Sequence, residues 1–208
     1  MSEQPNGGAP ERGRGRGRRV ALAAAALLGV GVLAFGVLAP PERCPQPTAA
    51  SIDQSAADAV QWFTRNQRPD GTWLYEYDTD DDVDLGGYNI VRHAGAIMGL
   101  YQAAAAGQPD ALASADRGMA WVREHLVEHD DWTALAENGR APTGGAALLA
   151  AGLVERRELT GDTTDDDLLR QLGRFLVAQT DQTGAVIAQY STDRFEPDVE
   201  SRSKYYTG

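Results

Sequence analysis

Cysteine is almost missing from this chain of 208 residues: Cys44 is the only one, which excludes an intrachain disulfide and a thiolate metal cluster. Lysine is as scarce, with Lys204 alone, so arginine carries nearly all the positive charge. Phosphate loops, nucleophile elbows and dinucleotide fingerprints are absent, and no cofactor is expected. Positive charge is itself in deficit, the net charge being −11. Residues 1–43 hold six Arg and three Glu, which leaves 13 basic and 27 acidic residues and a net charge of −14 for the remainder. A domain so acidic repels nucleic acid and other polyanions at long range, so no nucleic-acid partner is expected.

The N-terminal part is the exception. Residues 1–19 are rich in Gly and Arg, and Val20 to Ala39 follow without a charged side chain. As a helix that run is long enough to cross ~30 Å of hydrocarbon. Five Arg before it and only Arg43 close behind predict a cytoplasmic N-terminus with the rest of the chain outside. The reading is a cytoplasmic tail (1–19), a transmembrane anchor (20–39), a Pro-rich linker (40–50) and an extracytoplasmic domain (51–208). A cleaved signal peptide is the alternative, although Pro40 directly after Val37-Leu38-Ala39 disfavours processing there.

What fills 51–208 is a repeat. Amphipathic stripes (Ala56, Val60, Phe63; then Ala115, Met119, Val122, Leu126; then Leu168, Leu172, Phe175) alternate with segments that are apolar all round, 94–106 and 146–154. A helix with one apolar stripe lies on a surface, and a helix without a polar face is buried on every side. Small residues, among them Gly95, Gly99, Gly145 and Gly152, allow such inner helices to approach closely. Residues 51–106 make one hairpin, 109–156 a second, and 164–208 the outer helix and opening of a third. Phe63 and Phe175 each precede a Gln by four residues, and Gly71 and Gly184 each precede a Tyr by six. The expected fold class is all-α: two layers of helical hairpins in an incomplete α/α toroid, preceded by one transmembrane helix.

Trp62-Phe63, Gln67, Gly71-Thr72 and Trp73 are spaced as in the Q-x-x-x-G-x-W element, and this stretch resembles terpenoid-cyclase-type α/α toroids. The Tyr88-Asn89-x-x-Arg92-His93-Ala94-Gly95 start of an inner helix, with the layout of 51–208, resembles the six-hairpin glycosidase-like superfamily. That resemblance implies a structural role for Gln67 and Trp73 in the turn, and a ligand mouth where the inner helices begin. A ring of this type takes about six hairpins and two and a half are present, so a fragment of a longer protein is expected.

At that mouth the sequence offers hydrogen-bonding and aromatic side chains: Tyr88, Asn89, Arg92 and Trp73, with Tyr205 and Tyr206 at the third inner-helix start, and Arg140 and Thr143 at the second. Such a surface suits a glycan, whereas a terpene needs apolar and aromatic walls. His93 is a candidate general acid or base because its ordinary pKa lies near neutrality. Glycosidase chemistry usually needs carboxylates, for which Glu76 and Asp78 in the overhanging loop are candidates. Arg92 and His93 could equally tie the helix start to acidic loops. His125 and His129, four apart on an expected outer helix, lack a third ligand, so no metal is expected. The leading expectation is a membrane-anchored extracytoplasmic carbohydrate-active domain, glycosidase-like or glycan-processing. A non-catalytic glycan-binding or scaffold module and a terpenoid-cyclase-like enzyme are the alternatives.

Overall fold

The computed structural model describes residues 14–38, 44 and 46–201, in two compact units that divide between Pro47 and Thr48. The first contains helix α1, Arg14–Leu38. Among the described residues no helix is long and apolar enough to cross a membrane, which overturns the expected single-pass anchor and the location inferred from it. The helix begins inside the arginine run, at Arg14. The sidedness expected for the rest of the chain rested on that anchor and loses its basis. Cys44 is exposed. Tyr205 and Tyr206 lie outside the described residues.

The second unit is mostly helical. Helix α2 (Ala49–Arg65) opens on a capping box in which Thr48 and Ser51 satisfy each other's backbone N–H groups, and it turns Val60 inward. A long loop carries the two-residue strands β1 (Tyr77–Asp78) and β2 (Val83–Asp84) and leads to α3 (Ile90–Ala105). Next come α4 (Ala111–Glu124), a hairpin of β3 (Leu126–His129) and β4 (Trp132–Leu135), and β5 (Arg140–Pro142) leading into α5 (Thr143–Thr160). Helix α6 (Asp166–Ala178) is followed by β6 (Gln189–Ser191) and β7 (Glu196–Pro197). The pairs α2/α3 and α4/α5 are the two expected hairpins, and α6 opens the third.

Helices α3 and α5 are the inner layer. Ala94, Ile97, Leu100 and Tyr101 of α3, and Ala146, Leu149 and Leu153 of α5, are at most 2% exposed. The two pack backbone to backbone at Gly152, where an added Cβ would lie 3.1 Å from the Cα of Met98. Helices α4 and α6 bury one stripe each, Ala115, Met119 and Val122 on one and Leu172 and Phe175 on the other.

The structure departs from the sequence reading after α4. The stripe of α4 was expected to continue through Leu126, with His125 and His129 on one helical face. Instead the helix stops at Glu124, and residues 126–135 form an antiparallel hairpin pairing Leu126 with Leu135 and His129 with Trp132. Its turn passes through Asp130 at φ 51, and all four residues of β4 are buried. β5, β6 and β7 form a three-stranded antiparallel sheet in which the start of α5 is tied to the loop after α6.

Candidate functional site

All three outer helices end alike. The carbonyls of the C-cap residues Asn66, His125 and Gln179 accept the N–H of Leu74, Ala136 and Ile187 at 3.3, 2.9 and 2.8 Å, so each chain return is fastened to the helix it leaves. The turns after α2 and α6 share further bonds: Arg68 N–H to Thr72 and Gly71 N–H to Arg68 in one, Asp181 to Ala185 and Gly184 to Asp181 in the other. This sets Gly71 against Gly184, with φ of +90° and +85°, and therefore Thr180, not Gln179, against Gln67. The shared Phe/Gln spacing in the sequence is one residue out of register with the shared turn.

Gln67 ties the first turn to α4. Its Nε2 donates to the carbonyls of Gly71 (3.1 Å) and Ser114 (2.9 Å), and its Oε1 accepts from Ser114 Oγ and Arg117 Nε, both at 2.9 Å. Trp73 packs edge-on to Phe63, with centroids 5.9 Å apart, and lies 4.9 Å from the His93 ring. It is only 4% exposed, and its indole Nε1 has no hydrogen-bond partner.

The start of α3 holds four expected site residues. Asn89 is the N-cap, and its Oδ1 accepts the backbone N–H of Arg92 at 3.0 Å. Arg92 is exposed, and its guanidinium lies 5.1 Å from the centre of the Tyr75 ring. His93 is 2% exposed, with Nε2 3.0 Å from the carbonyl oxygen of Gly118 and Nδ1 2.6 Å from the Tyr88 hydroxyl. A carbonyl can only accept, so Nε2 carries the proton and Nδ1 accepts from Tyr88. The Tyr88 oxygen in turn accepts the backbone N–H of Trp73 at 3.2 Å. Burial pushes the Tyr88 hydroxyl up to about 12 and the His93 imidazole down to about 4. Both are held neutral, and both ring nitrogens of His93 are engaged.

Glu76 and Asp78 stand apart. Glu76 is exposed, and the Oδ1 of half-buried Asp78 caps the turn at Asp80 and Asp81 (2.9 and 3.1 Å). Neither lines the cavities at the start of α3. Thr143 is buried and donates to the Ile187 carbonyl at 2.6 Å, fastening the loop after α6 to the start of α5.

Two depressions meet at Tyr88 and Asn89. One, about 370 Å³, is walled by Trp62, Phe63, Tyr75 and Tyr88, with Asn89 and Arg92 supplying polar atoms. Hydrogen-bonding and aromatic side chains were both expected at the mouth, and Trp62, Phe63 and Tyr75 add aromatic surface that was not among the expected residues. The other, about 320 Å³, runs from the start of α3 to that of α5 between Tyr88, Asn89, Glu137, Asn138, Arg140 and Gln189. Glu137 and Asn138 come from the Glu-Asn-Gly-Arg turn before α5, with Asn138 and Gly139 at φ 53 and 74. That Asn-Gly pair was a legible turn signal one step ahead of an inner helix. Gln189 comes from β6 and had no such local signal. Among the described residues no three His, Cys, Asp or Glu side chains converge as a metal site.

No protein-family profile and no curated protein sequence matches the chain. Solved structures do. A D-mannose isomerase superposes with a TM-score of 0.57 at 15% identity, over 72% of this chain and 41% of that one. A cellobiose 2-epimerase from Spirochaeta thermophila DSM 6192 gives 0.55 at 18% identity, over 73% and 42%. The chain thus spans less than half the length of either. These likenesses establish the fold as helical hairpins of a partial α/α toroid.

Proposed function

We propose that residues 51–208 form a carbohydrate-active part of a toroid, with its sugar site in the groove between the starts of α3 and α5. The observation that carries this reading is the convergence of Tyr88 and Asn89 just before α3, Glu137, Asn138 and Arg140 from the turn and strand before α5, and Gln189 from β6. Amide, carboxylate and guanidinium groups together accept from and donate to hydroxyls, and the adjoining rings offer flat faces for the C–H side of a sugar. The two structural neighbours are a sugar isomerase and a sugar epimerase, which supports a sugar ligand.

For chemistry, the carboxylate best placed in the groove is Glu137, with Glu76 and Asp78 on a separate hairpin. His93 acts as a proton carrier only by giving up its bond to Tyr88 or Gly118, and that engagement favours a second reading, a glycan-binding module without turnover. Titration of D-mannose and cellobiose into the full chain, followed by tryptophan fluorescence, tests the site. Saturable binding weakened by Gln189→Ala is expected, and no binding of either sugar overturns the reading. Assays of isomerisation and of reducing-sugar release separate the two forms. Turnover lost in Glu137→Gln with binding kept supports catalysis, and binding with no turnover supports the module.

A further inference from the structure

The charge pattern at this mouth names the kind of sugar. In so acidic a chain most guanidinium groups are already neutralised: seven of the eleven arginines with described side chains contact a carboxylate. Arg65 and Arg117 bond to the side-chain amides of Gln61 and Gln67. Only Arg92 and Arg140 remain, exposed and without a polar side-chain partner among the described residues. They are far apart in sequence, yet both flank the mouth: Arg92 lines the aromatic cavity, Arg140 lines the polar groove, and the two spaces share Tyr88 and Asn89.

A guanidinium left unpaired among thirty acidic residues has carboxylates to choose from and is not using them. Its planar fork matches a carboxylate with two parallel hydrogen bonds. Glu137, in the same groove, accepts from hydroxyls and repels a second anion. Asp193 and Asp198 do the same further along, around a polar pocket of about 200 Å³ that shares Arg140. The field therefore admits one negative group, at the end nearer Arg92, followed by neutral hydroxyls. Tyr75, beneath the Arg92 guanidinium, holds that cation at the edge of the aromatic wall.

We propose that the mouth takes an acidic sugar, a uronate-type sugar carboxylate whose anion is bound by Arg92, with Arg140 offsetting the carboxylates of the adjoining groove. This rests on the sugar site proposed above. The test is calorimetric titration of the full chain with D-glucuronate, D-glucose and glucose 6-phosphate at low and moderate salt. Glucuronate is expected to bind about tenfold more tightly than glucose at low salt, the size of one charge-assisted hydrogen-bonded pair, and the preference to shrink with added salt. The double variant Arg92→Gln/Arg140→Gln, whose side chains make no ion pair that the fold depends on, is expected to abolish the preference. Circular dichroism confirms that it folds. Equal binding of glucuronate and glucose, or a preference that survives the double variant, overturns the acidic-sugar assignment and leaves the sugar site standing. Binding of glucose 6-phosphate in place of glucuronate overturns the carboxylate assignment. Failure of all three to bind overturns both.

Discussion

Tyr88 donates its hydroxyl proton to Nδ1 of His93 across 2.6 Å, and the opposite ring nitrogen donates to the carbonyl of Gly118 in α4. One imidazole thereby joins the long loop, the first inner helix and the second outer helix. The join requires the neutral ring, because a protonated Nδ1 has no lone pair to offer Tyr88.

The pH dependence of stability follows with a definite sign. Burial holds His93 at about 4 in the folded chain, against an ordinary value of 6.5. Between those values the unfolded chain binds more protons than the folded one, so stability falls as pH drops through this window and is fully present above it. The loss is on the order of 3 kcal/mol across the window. Urea unfolding at a series of pH values measures it. The slope is expected in the native chain and not in His93→Gln, which is less stable throughout. A native chain equally stable across the window contradicts the neutral buried ring.

Glycine in the middle of a helix usually costs stability, so replacing it with Ala gains up to ~1 kcal/mol. Two glycines here separate in sign. At Gly118 in α4 a Cβ would stand 2.6 Å from Cη2 of Trp73 and 3.0 Å from Cγ1 of Ile97, both buried. The ring cannot retreat without disturbing Phe63 and His93, so Gly118→Ala is expected to lose ~1–3 kcal/mol to overpacking. At Gly173 in α6 a Cβ would meet nothing within 4 Å, and Gly173→Ala is expected to be stabilising. Thermal melting by circular dichroism distinguishes them, and a melting temperature for Gly118→Ala at or above that of the native chain counts against the Trp73 packing.

What the sequence revealed is what periodicity carries. The outer stripes and apolar inner segments located α2 through α6 because burial alone dictates which face of a helix is apolar. The Gln67 turn was also readable, since Gly71 marks a φ of +90° that Gly adopts freely. The hairpin at 126–135 was not: its strands lack a Gly turn, and Val122 and Leu126 continue the helical spacing across the helix end. The apolar run at 20–39 carried the anchor reading, which the described helix does not support. At the mouth, Tyr88, Asn89 and Arg92 stood together in sequence, but Tyr75, Glu137 and Gln189 reach it from separate loops that only the packing of the hairpins brings close. The role of His93 was ambiguous for another reason. Whether an imidazole faces solvent or a carbonyl of a distant helix depends on a contact 25 residues away.

Two glutamines at the ends of outer helices, one in the turn after α2 and one capping α6, give the last prediction. Gln67 makes four hydrogen bonds through its amide, two of them to backbone carbonyls. Gln179, the C-cap of α6, is 0% exposed, and neither its Oε1 nor its Nε2 has a partner. A buried amide that has lost water without gaining a bond costs ~1–3 kcal/mol, and an apolar side chain of similar length removes that cost. Gln179→Met is therefore expected to raise the urea midpoint, while Gln67→Met, which strands Ser114 and two carbonyls, is expected to lower it. The shared register slip makes the contrast sharper: Thr180 occupies the place of Gln67, so Gln179 points from the helix end itself and not from the turn. A Gln179→Met chain less stable than the native one would mean that the amide finds a hydrogen-bonding partner in solution. The sign of that one midpoint shift decides whether the end of α6 is sealed as the structure shows.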